Sequence, residues 1–334
     1  MTDRFLTIQN RWHADALTHF TSLGDNPWFL LYPTAASPVP GADPAQPVGC
    51  IVPFIYANHV GWVALFCLYA PYRGRGYGGA LFKRLQDYFA EQGVTTIGLD
   101  AVQEQRDTYA RRGFREIGTV RVMSRAAVVT DATAATQDSS GNSSSSISGS
   151  GSGKYHDSTP PSDTELAAAG AKLVPLTDVP VEQLVASDLR FSGLERDKLW
   201  TQDGLFSRLD ASGFALLDSS SSGGSSSLGR LRGWTLLRRC EHGWRLGPLY
   251  AETRHEAELV LRAAVASTKG SGLDLFVEVW VQNLEAEDFF KSLGWQSASV
   301  DYFRMWVDAL GPSATNPGGA AEKGCFAIFD AAEG

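Results

Sequence analysis

The chain has 334 residues, 43% of them hydrophobic, and a formal net charge of −8 at pH 7. This length suits two globular domains, each able to bury a core of its own. The acidic balance argues against a nucleic-acid-binding protein held by phosphate contacts, so we expect no nucleic-acid partner.

No apolar run approaches the ~20 residues of a membrane span, and the first residues lack the apolar stretch of a signal peptide. We therefore expect a soluble, intracellular protein without a membrane partner, in the cytoplasm or the nucleus. The four cysteines are far apart and show neither CxxC nor metal-ligand spacing. They predict buried free thiols in a reducing compartment and no metal site.

The first half alternates strand patterns with helix patterns. The predicted order is a strand at 5–8, a helix at 12–20, a strand at 28–32, strands at 49–56 and 60–69, a helix at 78–92, a strand at 94–100, a helix at 104–112 and a last pair of strands within 114–125. The strands at 49–56 and 60–69 flank a short polar turn, which predicts a long antiparallel hairpin. The strand at 94–100 follows a helical crossover and should run parallel to the second hairpin strand.

A basic, glycine-dense turn joins the second hairpin strand to the helix at 78–92. Glycine lets the backbone approach a ligand and adopt positive φ, and the first amides of a helix have no internal partner. The turn therefore suits an anion. It lacks the lysine of a Walker loop, and the GxGxxG pattern at Gly74, Gly76 and Gly79 lacks the parallel βαβ setting of a dinucleotide fold.

The pattern Arg-x-x-Gly-x-Gly, at Arg73, Gly76 and Gly78, resembles the pyrophosphate loop of the GNAT N-acetyltransferase superfamily. The resemblance implies that acetyl-CoA is the donor substrate and that this loop binds its pyrophosphate. The implied binding residues are Arg73, Gly74, Arg75, Gly76, Tyr77, Gly78, Gly79 and Ala80. The alternative is a tight strand-to-helix turn without a ligand.

A second motif follows, with Leu-Asp-Ala at 99–101 and Tyr-x-x-x-Gly-Phe at 109–114. It is similar to the corresponding GNAT segment, and the resemblance implies that Tyr109 protonates the departing CoA thiolate. A phenol with a pKa of about 10 is protonated at neutral pH and can therefore donate a proton to the thiolate. The alternative is an aromatic side chain that packs on Phe114. Val102 stands where the family often has asparagine, which puts one pantetheine contact in doubt.

The resemblance also implies that the strand edge at Phe66, Cys67 and Leu68 holds the acetyl carbonyl and the pantetheine amides. Direct attack of the amine on the thioester is favoured over an acyl-enzyme on Cys67, since a cysteine in an apolar strand is usually an inert core thiol. The general base stays open between Asp100, Glu104 and His59. Each has a structural alternative, at a helix start or in the hairpin turn.

A Ser/Gly-rich stretch separates the halves and predicts a flexible linker that joins two domains without fixing their geometry. The predicted domains are 1–129, a linker at 130–163, and 164–334 with a disordered insert at 219–227. The second half repeats the element order of the first and resembles the C-terminal domain of tandem GNAT proteins. It lacks the glycine loop and has Phe290 in place of the tyrosine, so we expect it to be non-catalytic.

Together these features predict an α/β (α+β) fold with a mixed central sheet, made of two tandem GNAT-like domains. The implied function is an acetyl-CoA-dependent N-acetyltransferase that acts on a primary amine, without a metal. The alternative is a catalytically inactive acyl-CoA-binding sensor or scaffold. The acceptor amine and the oligomeric state stay open.

Overall fold

A computed structural model describes residues 26–34, 39–127, 159–219, 229–240 and 243–334. The predicted strand at 5–8, the helix at 12–20 and nearly all of the two Ser/Gly-rich stretches lie outside these residues. In the first half the elements are β1 (Phe29–Leu31), β2 (Gly49–Ile55), β3 (Val60–Leu68), α1 (Tyr77–Glu91), β4 (Thr96–Val102), α2 (Arg106–Ala110) and β5 (Phe114–Arg125).

The second half repeats this order after three leading elements and adds two more at its end. Its elements are α3 (Asp163–Ala168), β6 (Ala171–Pro175), α4 (Val181–Ser192), β7 (Ala211–Asp218), β8 (Leu231–Cys240), β9 (Gly243–Ala251), α5 (Arg254–Ser267), β10 (Asp274–Trp280), α6 (Ala286–Ser292), β11 (Gln296–Val307), α7 (Ala321–Gly324) and β12 (Cys325–Ala327). The predicted mixed α/β fold and the predicted duplication are therefore confirmed.

The strands of both halves form one sheet of 12 strands, in the order β1-β2-β3-β4-β11-β5-β10-β12-β9-β8-β7-β6. The two halves exchange strands at its centre. Strand β11 of the second half lies between β4 and β5, and β5 of the first half lies between β11 and β10. The expected last pair of strands within 114–125 is wrong, because these residues form one continuous strand whose partner comes from the other half of the chain.

This exchange fixes the geometry of the two halves, contrary to the expectation from the linker. The antiparallel pairing of β5 with β11 runs from Phe114 to Ser124. Beside it, the Arg121 guanidinium donates to Asp301 of β11 at 3.0 and 2.9 Å and to Glu287 of α6 at 2.7 Å. Because backbone pairing and ion pairs both cross the boundary, neither half completes its sheet alone.

Three clusters of buried side chains hold the sheet. One lies under α1 and α2 and includes Leu85 and Phe89, and a second lies under α5 and α6 and includes Val260 and Phe290. The third covers the other face of the sheet and contains residues of both halves, such as Trp62 of β3 and Trp234 of β8. The face of the first half that carries no described helix of its own is therefore covered by the second half.

A buried ion-pair network stabilises this part of the second half internally. Asp188 of α4 accepts two hydrogen bonds from Arg196, at 2.9 and 2.6 Å, and one each from Trp200 and Tyr250. Arg196 also donates to the backbone oxygens of residues 333 and 334 at 3.2 and 2.7 Å. Both charged groups are almost fully buried, so removing one partner would leave an uncompensated charge.

Candidate functional site

The glycine-dense turn forms the open end of the site. Strand β3 leads into a short 3-10 turn at Ala70–Tyr72, and Gly76 then caps α1 with a φ of 85°. Gly74 also has a positive φ, of 71°. A Cβ added at Gly74, Gly76 or Gly79 would meet no atom within 4 Å, so the space above the turn is open. The first turn of α1 carries no acidic residue, which leaves its amides and dipole available to an anion.

Two arginines brace this turn from outside the helix. The Nε of Arg73 donates to the Leu68 oxygen at 2.8 Å, and the Nε of Arg75 donates to the Pro71 oxygen at 3.2 Å. These bonds hold the guanidinium groups beside the glycines. The turn thus combines open backbone amides with two positive side chains, which is the chemistry that a diphosphate requires.

Strands β3 and β4 separate next to this turn. They pair in parallel only from Val60 to Trp62, opposite Thr96 to Gly98. Beyond this point β3 continues to Leu68 and β4 to Val102, and no pairing joins them in the described part of the chain. The edge of β3 that contains Phe66, Cys67 and Leu68 therefore faces a notch in the sheet.

A β-bulge shapes this edge. Cys50 lies opposite Cys67 and Val52 lies opposite Ala64, so β3 has one residue more than β2 between these pairs. Leu65 takes up the extra residue with a φ of 48°, a conformation that a leucine rarely adopts. Such strain persists only where the surrounding structure imposes it. The bulge at Leu65 changes the course of the β3 backbone beside the notch.

Tyr109 lies on α2 beside the same notch. Its ring packs against Phe82 of α1 and Phe114 of β5, with centroids 6.1 and 5.9 Å away. Burial raises the pKa of the Tyr109 phenol, and the nearby Cys67 raises it further. The phenol is therefore protonated at neutral pH, and it lies near Cys67 on the edge of β3 that faces the notch. The packing on Phe114 that the sequence offered as an alternative role also exists.

The structure brings the predicted donor-site residues together through the Phe66 ring. Phe66 lies 6.0 Å from Phe82, and a Cβ added at Gly78 would approach it within 3.4 Å. The glycine turn, the end of β3 and Tyr109 therefore surround one region, although about forty residues of sequence separate the end of β3 from Tyr109.

The three candidates for the general base lie in different surroundings. Asp100 is buried and accepts hydrogen bonds of 2.8 and 2.6 Å from Arg304 of β11. Burial raises the pKa of Asp100, and Arg304 opposes this shift. Glu104 is exposed in the 3-10 turn before α2. His59 precedes β3 at its far end, up to about 30 Å from Leu68 at ~3.3 Å per residue, so it is not part of this site.

The sequence reasoning missed Tyr302 of β11. Tyr302 lies opposite Val102 of β4. Val102 is four residues beyond Gly98, the last residue of β4 that pairs with β3, and Phe66 is likewise four residues beyond its partner Trp62. Tyr302 thus lies level with the notch, on the face covered by the second half. Its side chain is 7% exposed, and its hydroxyl has no hydrogen bond to any described residue. No local signal marks it, because strand exchange alone brings it here.

Comparison with known protein families agrees with this geometry. Residues 7–118 match the acetyltransferase (GNAT) family, and residues 218–311 match a second model, the acetyltransferase (GNAT) domain. Together the two matches cover more than half of the chain. The protein belongs to the GNAT superfamily. Each half contains one GNAT domain, so the chain is a tandem GNAT protein.

Solved structures have a similar fold. A candidate acetyltransferase from Pyrococcus horikoshii superposes with a TM-score of 0.56 at 19% identity, covering 86% of this chain and 77% of its own. A tandem GNAT protein from the clavulanic acid biosynthesis pathway gives 0.51 at 15% identity, covering 79% of each chain. A GCN5-related N-acetyltransferase from Anabaena variabilis gives 0.50 at 12% identity, covering 94% of this chain and 70% of its own. A comparison with curated protein sequences finds no significant match.

The second GNAT domain has a notch of the same kind that is closed. Strands β9 and β10 pair in parallel only as far as Leu246 and Val277. Beyond this point β12 inserts between them, and its Ala327 pairs with both Leu249 and Val279. Phe290 of α6 replaces the tyrosine and lies fully buried against Trp295. Within the described residues, the first domain alone keeps an open notch next to a glycine turn.

The described residues contain neither a cluster of metal-ligating side chains nor a helix long and apolar enough to span a membrane. The four cysteines are free and buried, as predicted from their spacing.

Proposed function

We propose that the protein is an acetyl-CoA-dependent N-acetyltransferase with one donor site, in its first domain. The open glycine turn at the end of a splayed strand pair is the observation that carries this proposal. The turn residues from Arg73 to Ala80 would hold the pyrophosphate through backbone amides and the two arginines. The pantetheine arm would follow the β3 edge at Phe66, Cys67 and Leu68.

Tyr109 is the proposed proton donor to the CoA thiolate. Its phenol is protonated at neutral pH, since burial raises its pKa, and it lies beside the β3 edge where the thioester sulfur would be placed. The acceptor amine, in its neutral form, attacks the thioester carbon, and the tetrahedral intermediate collapses with cleavage of the C–S bond. The departing sulfur takes the Tyr109 proton, and the proton that the nitrogen releases returns through solvent to the Tyr109 phenolate. Bonds of β3 backbone groups to the acetyl oxygen would stabilise the intermediate.

Asp100 is not proposed as the base, because both of its oxygens are bound to Arg304. The amine would enter from the face that the second domain covers, where Tyr302 offers its hydroxyl. Since the second domain closes its own notch with β12, its proposed role is to build the acceptor side of the first domain and to complete the sheet.

The glycine turn is tested by a matched pair of variants. Gly76→Glu and Gly93→Glu both place a carboxylate on a left-handed residue at an end of α1, with φ values of 85° and 71° and open space around each. The backbone strain of the two should be similar, whereas only Gly76→Glu puts a negative charge in the pyrophosphate site. We expect calorimetry to show acetyl-CoA binding lost in Gly76→Glu and kept in Gly93→Glu. Equal affinities would refute the assignment of the donor site.

Turnover is tested by following thiol release from acetyl-CoA with a panel of amines. Tyr109→Phe should lower kcat by about 100-fold with little change in the KM for acetyl-CoA. Tyr88→Phe, a change on the outer part of α1 beside Phe29, is the control and should leave both constants unchanged. Binding of acetyl-CoA without thiol release for any amine would favour the inactive acyl-CoA sensor instead.

A further inference from the structure

Two of the four cysteines face each other across the β2–β3 hairpin. Cys50 and Cys67 are directly opposite in the antiparallel register. The Cα atoms of such pairs lie about 4.5 or 5.5 Å apart, and a disulfide needs roughly 4.4 to 6.8 Å. Opposite residues also project from the same face of a sheet. The backbone is therefore already placed for a bond between the two sulfur atoms.

The two thiols already interact with each other and with the bulge. A side-chain hydrogen bond links Cys67 to Cys50, and it lowers the pKa of the Cys50 thiol despite burial. The Cys50 Sγ donates at 3.2 Å to the backbone oxygen of Leu65, the strained residue of the bulge. Cys67 is also close enough to Tyr109 to raise the pKa of its phenol. One member of the pair thus lies at the proposed reaction centre.

The other two cysteines, Cys240 and Cys325, do not share this pairing with a second cysteine. Cys240 ends β8 opposite Gly243, and Cys325 of β12 lies opposite Tyr250. Neither faces a cysteine, and burial raises the pKa of Cys325 to about 12, where the thiol is unreactive at neutral pH.

We propose that Cys50 and Cys67 form an oxidation site, and that their disulfide switches off the donor site of the first domain. The effect on turnover rests on the proposed function, whereas formation of the disulfide does not.

Hydrogen peroxide is a two-electron oxidant that can supply this chemistry. The Cys50 thiolate attacks one peroxide oxygen and the O–O bond breaks. Hydroxide is the leaving group, and Cys50 becomes a sulfenic acid. The Cys67 sulfur then attacks the Cys50 sulfur, the S–O bond breaks, and the Cys67 proton leaves with the oxygen as water. Two thiols lose two electrons in total, and the peroxide takes them up.

The disulfide would alter the notch in two ways. An S–S bond of ~2.05 Å draws the Cys67 sulfur toward β2 and away from Tyr109. It also removes the Cys50 proton that the Leu65 oxygen accepts. Both changes act on the segment of β3 that would hold the thioester, so we expect turnover to fall at least about tenfold. Bound acetyl-CoA would cover Cys67 and slow the oxidation.

The test treats the full chain with graded hydrogen peroxide, blocks the remaining thiols under denaturing conditions and maps the disulfides by mass spectrometry. We expect two of the four thiols to disappear, a Cys50–Cys67 linkage in the peptide map, reversal by dithiothreitol and protection by acetyl-CoA. Cys50→Ala should keep its activity after peroxide, whereas the control Cys240→Ala should be inactivated like the wild type.

The outcomes separate the two proposals. Sulfinic acids or a linkage that excludes either residue would overturn this inference, and so would inactivation of Cys50→Ala at the wild-type rate. These readings on the wild-type peptide map do not depend on the folding of any variant. A mapped Cys50–Cys67 disulfide in a protein that acetylates no amine would instead leave the oxidation site standing and contradict the proposed function.

Discussion

The buried pair of Asp100 and Arg304 should couple the two domains strongly. Asp100 lies on β4 and Arg304 on β11, and their side chains are 0% and 1% exposed. Arg304 also lies between the rings of Trp62 and Trp280, at 4.9 and 5.3 Å. Replacing Arg304 by methionine leaves the Asp100 carboxylate buried without the two hydrogen bonds that Arg304 donates, which should lower the unfolding free energy by about 3–5 kcal/mol.

Asp100→Asn should lower the unfolding free energy by a comparable amount, because it leaves the Arg304 charge buried without a counterion. The double variant removes both charges, so its loss should be smaller than the sum of the two single losses by at least about 2 kcal/mol. Urea unfolding followed by far-UV circular dichroism measures all four proteins.

The exposed pair of Lys83 and Asp87 on α1 is the control. Its atoms approach within 2.7 Å, as close as those of the buried pair, but both side chains are in water. The cycle of Lys83→Met and Asp87→Asn should therefore give a coupling of about 0.3–0.5 kcal/mol. A coupling this small for Asp100 and Arg304 would refute the conclusion that burial of this pair fastens the domains.

Three further predictions concern single side chains. Burial beside Asp330 raises the pKa of Glu278 from 4.5 to about 7, so the folded chain keeps a proton that the unfolded chain releases. Stability should therefore fall by on the order of 3 kcal/mol as the pH rises from about 4.5 to about 7, and Glu278→Gln should remove that fall; an equal pH dependence of the unfolding free energy in both proteins would contradict this. Tyr302→Phe should raise the KM for the acceptor about fivefold and leave that for acetyl-CoA unchanged, whereas a change in the acetyl-CoA constant alone would place Tyr302 on the donor side. Arg196→Met should speed amide hydrogen exchange in residues 331–334, because it removes the donor to their carbonyls; unchanged exchange would show that other contacts hold this segment.

Much of the local structure could be predicted from the sequence. The hairpin of β2 and β3, the glycine turn and the helix α1 are predicted at nearly their observed bounds, since each depends on short-range periodicity and on turn residues. The duplication could also be recognised, because the second half repeats the element order. The resemblance to the GNAT motifs implies that the glycine turn and Tyr109 share one site, and in the fold both lie beside the same notch.

The partners of the central strands could not be predicted. A strand pattern shows which face is buried but not which strand lies beside it, and β5 pairs with residues about 180 positions away. The expected last pair of strands failed for this reason. The roles of Asp100 and Tyr302 depend on the same exchange, which brings Arg304 to the first and places the second level with the notch.

The sequence by itself determined the fold class, the duplicated architecture and the one glycine turn suited to an anion, because backbone conformation and periodicity are local properties. Only the tertiary structure decided that the halves share a sheet, that β12 closes the second notch and that Cys50 faces Cys67. These features arise from hydrogen bonds and burial between distant segments, where pairing energy outweighs the entropy of closing long loops.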